Sequence, residues 1–105
     1  MAASTRELLA DAAARAQHYL AGLPDRAVAP STAAIDALPR LGNALPEEPG
    51  DAAQVLARLD EIISPATMAM AGPRFFGFVI GGSLPVTLAA NWLATAWDQN
   101  TGLHA

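Results

Sequence analysis

GPRFFGFVIGGSLPVTLAANWLATAWDQN, residues 72–100, is the stretch on which the reading of this chain turns. It opens on a Gly72-Pro73 turn, runs through the bulky Phe75-Phe76-Gly77-Phe78-Val79-Ile80 and breaks at Gly81-Gly82-Ser83. Bulky residues in succession have extended character, but one isolated run predicts no sheet. Gly81 and Gly82 admit backbone angles closed to other residues and let a ligand come close to the main chain. Ser83 is the expected N-cap of a helix running from about Ser83 to Trp97, with Pro85 in its first turn. Val86, Leu88, Trp92, Leu93 and Trp97 are distributed around that helix with alanines between them, and a helix without a wet face is normally buried. Free N–H groups and the positive end of the dipole at its start suit a carboxylate or phosphate. Asp98-Gln99-Asn100 ends the stretch, and its plain role is a C-cap and turn.

The rest of the chain is read against this tail. With 105 residues, one core is the maximum. Nine of the ten acidic residues lie at or before Glu61, and beyond it the only charged side chains are Arg74 and Asp98. A tail so poor in charge leaves an apolar patch unless something covers it, and such patches mark interfaces. The net charge of −4, with no basic cluster, argues against a nucleic-acid partner. There is no cysteine, and His18 and His104 are far apart, so neither disulfides nor a metal site is expected. The polar start MAASTRE lacks the basic-then-apolar order of a secretory signal. No apolar run reaches the roughly 20 residues that span a bilayer. The expected compartment is cytoplasmic, with no membrane partner.

Upstream, Ser4 with Glu7 three residues on forms a capping-box signature. Leu8, Leu9, Ala12, Ala13, Ala16, Tyr19 and Leu20 then recur at helical spacing, and Asp11 and Arg15 stand four apart on the other side. Gly22 and Pro24 end this helix. Five of the eight prolines fall between Gly22 and Gly50, which predicts a mostly extended connector lying as a strap, with a short helix capped by Ser31 and running through Leu38. Asp51 and Gln54 mark the next helix start, and Val55, Leu56, Leu59, Ile62 and Ile63 form its apolar stripe before Ser64-Pro65 closes it.

The order of PRFFGF, a Gly-Gly-Ser turn, an apolar helix and WDQN resembles the N-terminal region of the group II pyridoxal-phosphate-dependent amino-acid decarboxylases, the family of the aromatic-L-amino-acid and glutamate decarboxylases. The likeness is strong over the last third of the chain. Before that it covers only the order of the helices and the proline-rich connector. It implies a mainly α chain, the N-terminal helical segment of a fold-type I (aspartate aminotransferase-like) enzyme whose large α/β domain is missing here. Residues 1–50 would be the N-terminal helix and connector, and residues 51–105 the start of the decarboxylase domain.

The resemblance further implies that Phe78, Val79, Ile80, Gly81 and Gly82 line the substrate side of the active site. It implies that Asn100, and less strongly Gln99, reaches the active site of the partner subunit in a homodimer. The substrate would be an L-amino acid and the cofactor pyridoxal 5'-phosphate, bound by the part of the enzyme outside this sequence. The Schiff base to that cofactor needs a lysine, and all six basic residues here are arginines. No catalytic residue is therefore assigned within these 105 residues, and His104 is not equated with the histidine that stacks on the cofactor ring in relatives. Many relatives carry histidine where this chain has Gly72, and Val79 and Ile80 are aliphatic, which leaves the substrate open. Two other readings stand beside this one. The first is a helical interaction module docking through its apolar C-terminal half; the second is a small-molecule binder built on the Gly81-Gly82-Ser83 helix start.

Overall fold

A computed structural model describes residues 2–100 and 102. Among the described residues the chain is all-helical, with no strand: α1 (Thr5–Gly22), α2 (Thr32–Asp36), α3 (Ala52–Ile63) and α4 (Pro85–Trp97). The starts of the first three follow their caps. Ser4 accepts from the Glu7 N–H while the Glu7 carboxylate accepts from the Ser4 N–H, both at 3.2 Å. Ser31 accepts from Ala34 N at 3.1 Å and Asp51 from Gln54 N at 3.0 Å. Each satisfies a backbone donor that has no partner inside its helix.

Prolines account for the tight turns between helices. Leu23–Asp25, Leu38–Leu41 and Ser64–Ala66 are short 3₁₀ turns, each with a proline near its start. There the missing N–H costs nothing and the fixed φ suits the turn. The connector from Gly22 to Gly50 is therefore less extended than its proline content predicts. It also packs: Leu23 is buried, Val28 O accepts from Ala69 N at 2.9 Å, and the Arg58 guanidinium donates to Arg40 O.

α1 packs on α3, and α3 also meets the Leu38–Leu41 turn. A polar clamp holds the pair. Arg15 bridges Asp11 on its own helix and Asp60 on α3, at 3.0 Å to each. Arg26 donates to Ser64 O at 3.1 Å and Thr67 O at 2.6 Å, with its guanidinium 5.3 Å from the centre of the Tyr19 ring. The Tyr19 and Thr67 hydroxyls lie 2.7 Å apart. One turn at the exit of α3 thus receives bonds from α1 and from the connector.

The apolar core is small. Among the described residues only Leu23, Ile62 and Ala69 are buried, while Val55 and Leu59 of the α3 stripe remain exposed, although helical spacing predicts them as core. α4 stands further out, with Leu88 and Trp92 half-buried and its other side chains exposed. The accessible surface is 8580 Å², whereas a folded monomer of 10.8 kDa exposes about 5,500 Å². The radius of gyration, 16.4 Å, compares with about 13 Å for a compact domain of this length.

Two local expectations are corrected. Ser83 is not an N-cap: α4 begins at Pro85, so Leu84 takes the cap position and no side chain caps the helix. The Phe75–Ile80 run is not extended but folds into a turn, described below.

Candidate functional site

The loop between α3 and α4 is anchored from behind. Phe75 is half-buried, and its ring lies so close under Gly77 that a Cβ there would come within 2.9 Å of it. Gly81, at φ +131°, sits against Met70 O and Phe75, and Gly82 N donates to Met70 O at 3.3 Å. Gly81 is thus required by backbone angle and by packing together. Gly82 differs: at φ +91° it has nothing within 4 Å of where a Cβ would be, so its main chain faces open space.

Between these anchors the chain reverses. Ile80 N donates to Gly77 O at 3.0 Å, and the two central residues, Phe78 and Val79, have φ of +56° and +52°. Turns with both central residues at positive φ normally take glycine, asparagine or aspartate. A phenylalanine and a β-branched valine there carry steric strain of about 1–2 kcal/mol per residue, and strain of this kind concentrates at functional sites. The turn turns these side chains outward. Phe76 is 92% exposed, Phe78 85% and Val79 fully. Ile80 is about half exposed.

Behind the loop lies an apolar cleft with two adjoining lobes. The first, about 540 Å³, is bounded by Ala16 and Leu20 of α1, Leu23, Pro73, and Leu88 and Trp92 of α4. The second, about 640 Å³, runs from the same α1 face to Leu56 and Ile63 of α3, with Arg15 and Asp60 at its edge. The sequence-predicted residues are elsewhere: none of Phe78, Val79, Ile80, Gly81, Gly82 and Asn100 lines either lobe. Phe78 to Gly82 are brought together as one outward surface. Asn100 lies beyond the far end of α4, its Oδ1 accepting from Gly102 N at 2.8 Å, and Gln99 donates to Trp97 O at 2.7 Å. Both side chains are engaged with their own turn, the C-cap role. His104 falls outside the described residues.

The titratable groups near the cleft serve the clamp. The Asp60 carboxyl is held below the ordinary carboxylate range, first by the Ser64 hydroxyl at 2.6 Å and then by Arg15. Arg15 is raised above its usual value, chiefly by its bond to Asp60 and then by Asp11. Sequence reasoning did not find the roles of Arg26, Tyr19 and Thr67. They join positions roughly 40 to 50 apart and leave no periodic signal. The cleft was partly announced by Ala13, Ala16 and Leu20 on one face of α1.

Among the described residues no group of three His, Asp or Glu is arranged to hold a metal ion, and no helix is long and apolar enough to cross a membrane. Nor do the residues fit a holder of pyridoxal phosphate. There is no ε-amine anywhere in the sequence, and the guanidinium of Arg74, the one arginine of the tail, donates to Arg26 O. Comparison with protein-family models, with curated proteins and with solved structures gives no match.

Proposed function

We propose that residues 72–100 form one wall of the substrate pocket, and part of the dimer interface, of a pyridoxal-phosphate-dependent L-amino-acid decarboxylase of the group II type. The cofactor and its lysine belong to another part of that homodimeric enzyme, and no chemical step is carried by the residues here. Fold-type I architecture is part of the same proposal. The observation that carries it is the strained Gly77–Ile80 turn, which presents Phe78 and Val79 outward beside a glycine whose main chain is open. Apolar side chains so placed exclude water from a bound amino acid, and the Gly82 main chain lets the ligand approach closely. The PRFFGF and WDQN elements give the resemblance its specificity.

The test is steady-state kinetics on the complete enzyme, with aromatic, acidic and diamino L-amino acids as substrates. A Cβ at Gly82 has no non-neighbouring atom of this chain within 4 Å, so the effect of Gly82→Val reads out ligand approach and the positive φ; KM rises by tenfold or more, on the scale of about 1.4 kcal/mol per decade. Asn100→Ala lowers turnover by the equivalent of roughly 1–3 kcal/mol for a lost buried hydrogen bond. The bound-cofactor spectrum stays unchanged in both. Wild-type kinetics in both variants would reduce this stretch to scaffold. A helical interaction module is the second reading, favoured by the surplus of exposed apolar surface; carbon dioxide release from none of the amino acids selects it.

A further inference from the structure

α1, α3 and α4 surround a space that they do not fill. Leu20 of α1, Leu56 and Ile63 of α3, and Leu88 and Trp92 of α4 border it, and it stays open as the two lobes of about 540 and 640 Å³. Protein interiors normally hold few voids larger than a water molecule, whereas clefts that take small molecules measure roughly 300–1,000 Å³. Side-chain size hollows the cleft out: Ala13 and Ala16 on α1, Ala71 on the loop and Ala89 on α4 stand where larger residues would close it. Ala16, Leu20, Ala71, Ser83 and Leu88 line both lobes, so the two make one elongated trough.

The charges at its edge are committed elsewhere. Arg15 and Asp60 border the second lobe, but they bond each other at 3.0 Å, Arg15 also holds Asp11, and Asp60 also accepts from Ser64. The hydroxyls of Tyr19 and Thr67 in that lobe bond each other. Among the described residues no charged side chain lines the first lobe, where the polar side chains besides the Trp92 indole are Gln17 and Ser83. An ionised ligand would bring a charge with no counterpart into apolar surroundings, which is strongly unfavourable.

We propose that the cleft is a binding site for a neutral, elongated apolar small molecule, an aliphatic chain with one uncharged polar end. The chain lies across α1 toward Leu56 and Ile63, and the polar end meets Gln17 and Ser83. The site goes beyond the decarboxylase reading: none of Phe78 to Gly82 lines it, all its walls come from one copy of the chain, and its ligand lacks the ionised amine and carboxylate of an amino acid.

Trp92 reports on occupancy. In a Trp97→Phe chain it is the one tryptophan left, and its emission is followed as 1-decanol is added below its solubility limit. The expected result is a saturable blue shift, with decanoate and decyltrimethylammonium binding more weakly by about tenfold or more. Ala16→Phe fills the part common to both lobes and Ala89→Leu narrows the first; each weakens binding while far-UV circular dichroism shows the helices retained. Leu45→Gln removes an apolar side chain that is 92% exposed and lines neither lobe, and leaves binding as it was. No saturable change with 1-decanol, or binding that survives both filling variants, overturns the site. Charged chains binding as well as the alcohol overturn the ligand class. All of these leave the kinetic test of the decarboxylase reading untouched.

Discussion

The clamp between α1 and α3 and the segment from Phe75 to Trp97 are built of opposite materials. The clamp spends Arg15, Arg26, Asp60, Tyr19 and Thr67 on one another and on main-chain carbonyls, so its geometry is decided inside this chain. The segment has aromatic and aliphatic side chains, two glycines at positive φ and hardly a charge, and most of its surface meets no atom of this chain. Directional bonds fix a structure locally. Apolar area is non-directional and stabilises only when another surface removes it from water. The clamp is therefore the part of the molecule that this chain completes by itself, and the segment is the part whose apolar area this chain leaves exposed.

The sharpest way to break the contrast is to empty the half that this chain completes. Ile62 is 3% exposed, and Ile62→Ala should cost about 2–5 kcal/mol through lost burial and the cavity left behind. Thermal or denaturant unfolding followed by circular dichroism reads this as an early loss of helix. An unchanged midpoint would mean that the α1–α3 packing is not what holds the fold.

A smaller effect separates the clamp by pH. The folded state holds the Asp60 carboxyl below its ordinary range, so above that range the group is ionised in both states and its full stabilisation is present. As pH falls through the ordinary carboxylate range, the unfolded chain takes up the proton first, and the contribution is lost by the time the folded carboxyl protonates as well. Arg15 is shifted upward and stays charged throughout, so it adds no slope of its own. Melts between neutral pH and pH 3 should show an acid limb that Asp60→Asn flattens. Parallel limbs in the two proteins would show that Asp60 is not the linked group.

The smallest expected effect has the opposite sign and lies in the exposed segment. Val79 is fully exposed and at φ +52°, so Val79→Gly removes no packing and relieves the left-handed strain. Stability should stay level or rise by up to about 1 kcal/mol. A clear drop in melting temperature would show that the Val79 side chain is already covered in solution, by a second copy or otherwise.

How much of this was legible depended on the reach of each interaction. Ser4, Ser31 and Asp51 could be read as helix starts because a cap joins residues three apart. Ser83 was misread by the same rule: Pro85 sets the first helical position, and the serine falls one residue too early. The positive φ of Gly81 and Gly82 was foreseeable, since glycine tolerates it. That of Phe78 and Val79 was not, since their side chains argue for extended backbone. The sites are divided in the same way. Phe78 to Gly82 are neighbours in sequence and form one surface, whereas the cleft behind them draws its walls from α1, α3 and α4.

By itself, then, the sequence determined a mainly helical chain with the caps of its first three helices, the prolines that interrupt them and a charge-poor tail, because capping, ring closure and composition act within a few residues. Only the tertiary structure decided that Arg26 would be the staple, since its carbonyl partners lie some 40 residues away. It also decided which apolar side chains are buried. Helical periodicity marks a face of α3 or α4 as apolar, but burial requires a second surface against it. For Ile62 this chain supplies that surface; for Val86, Leu93 and Trp97 it does not.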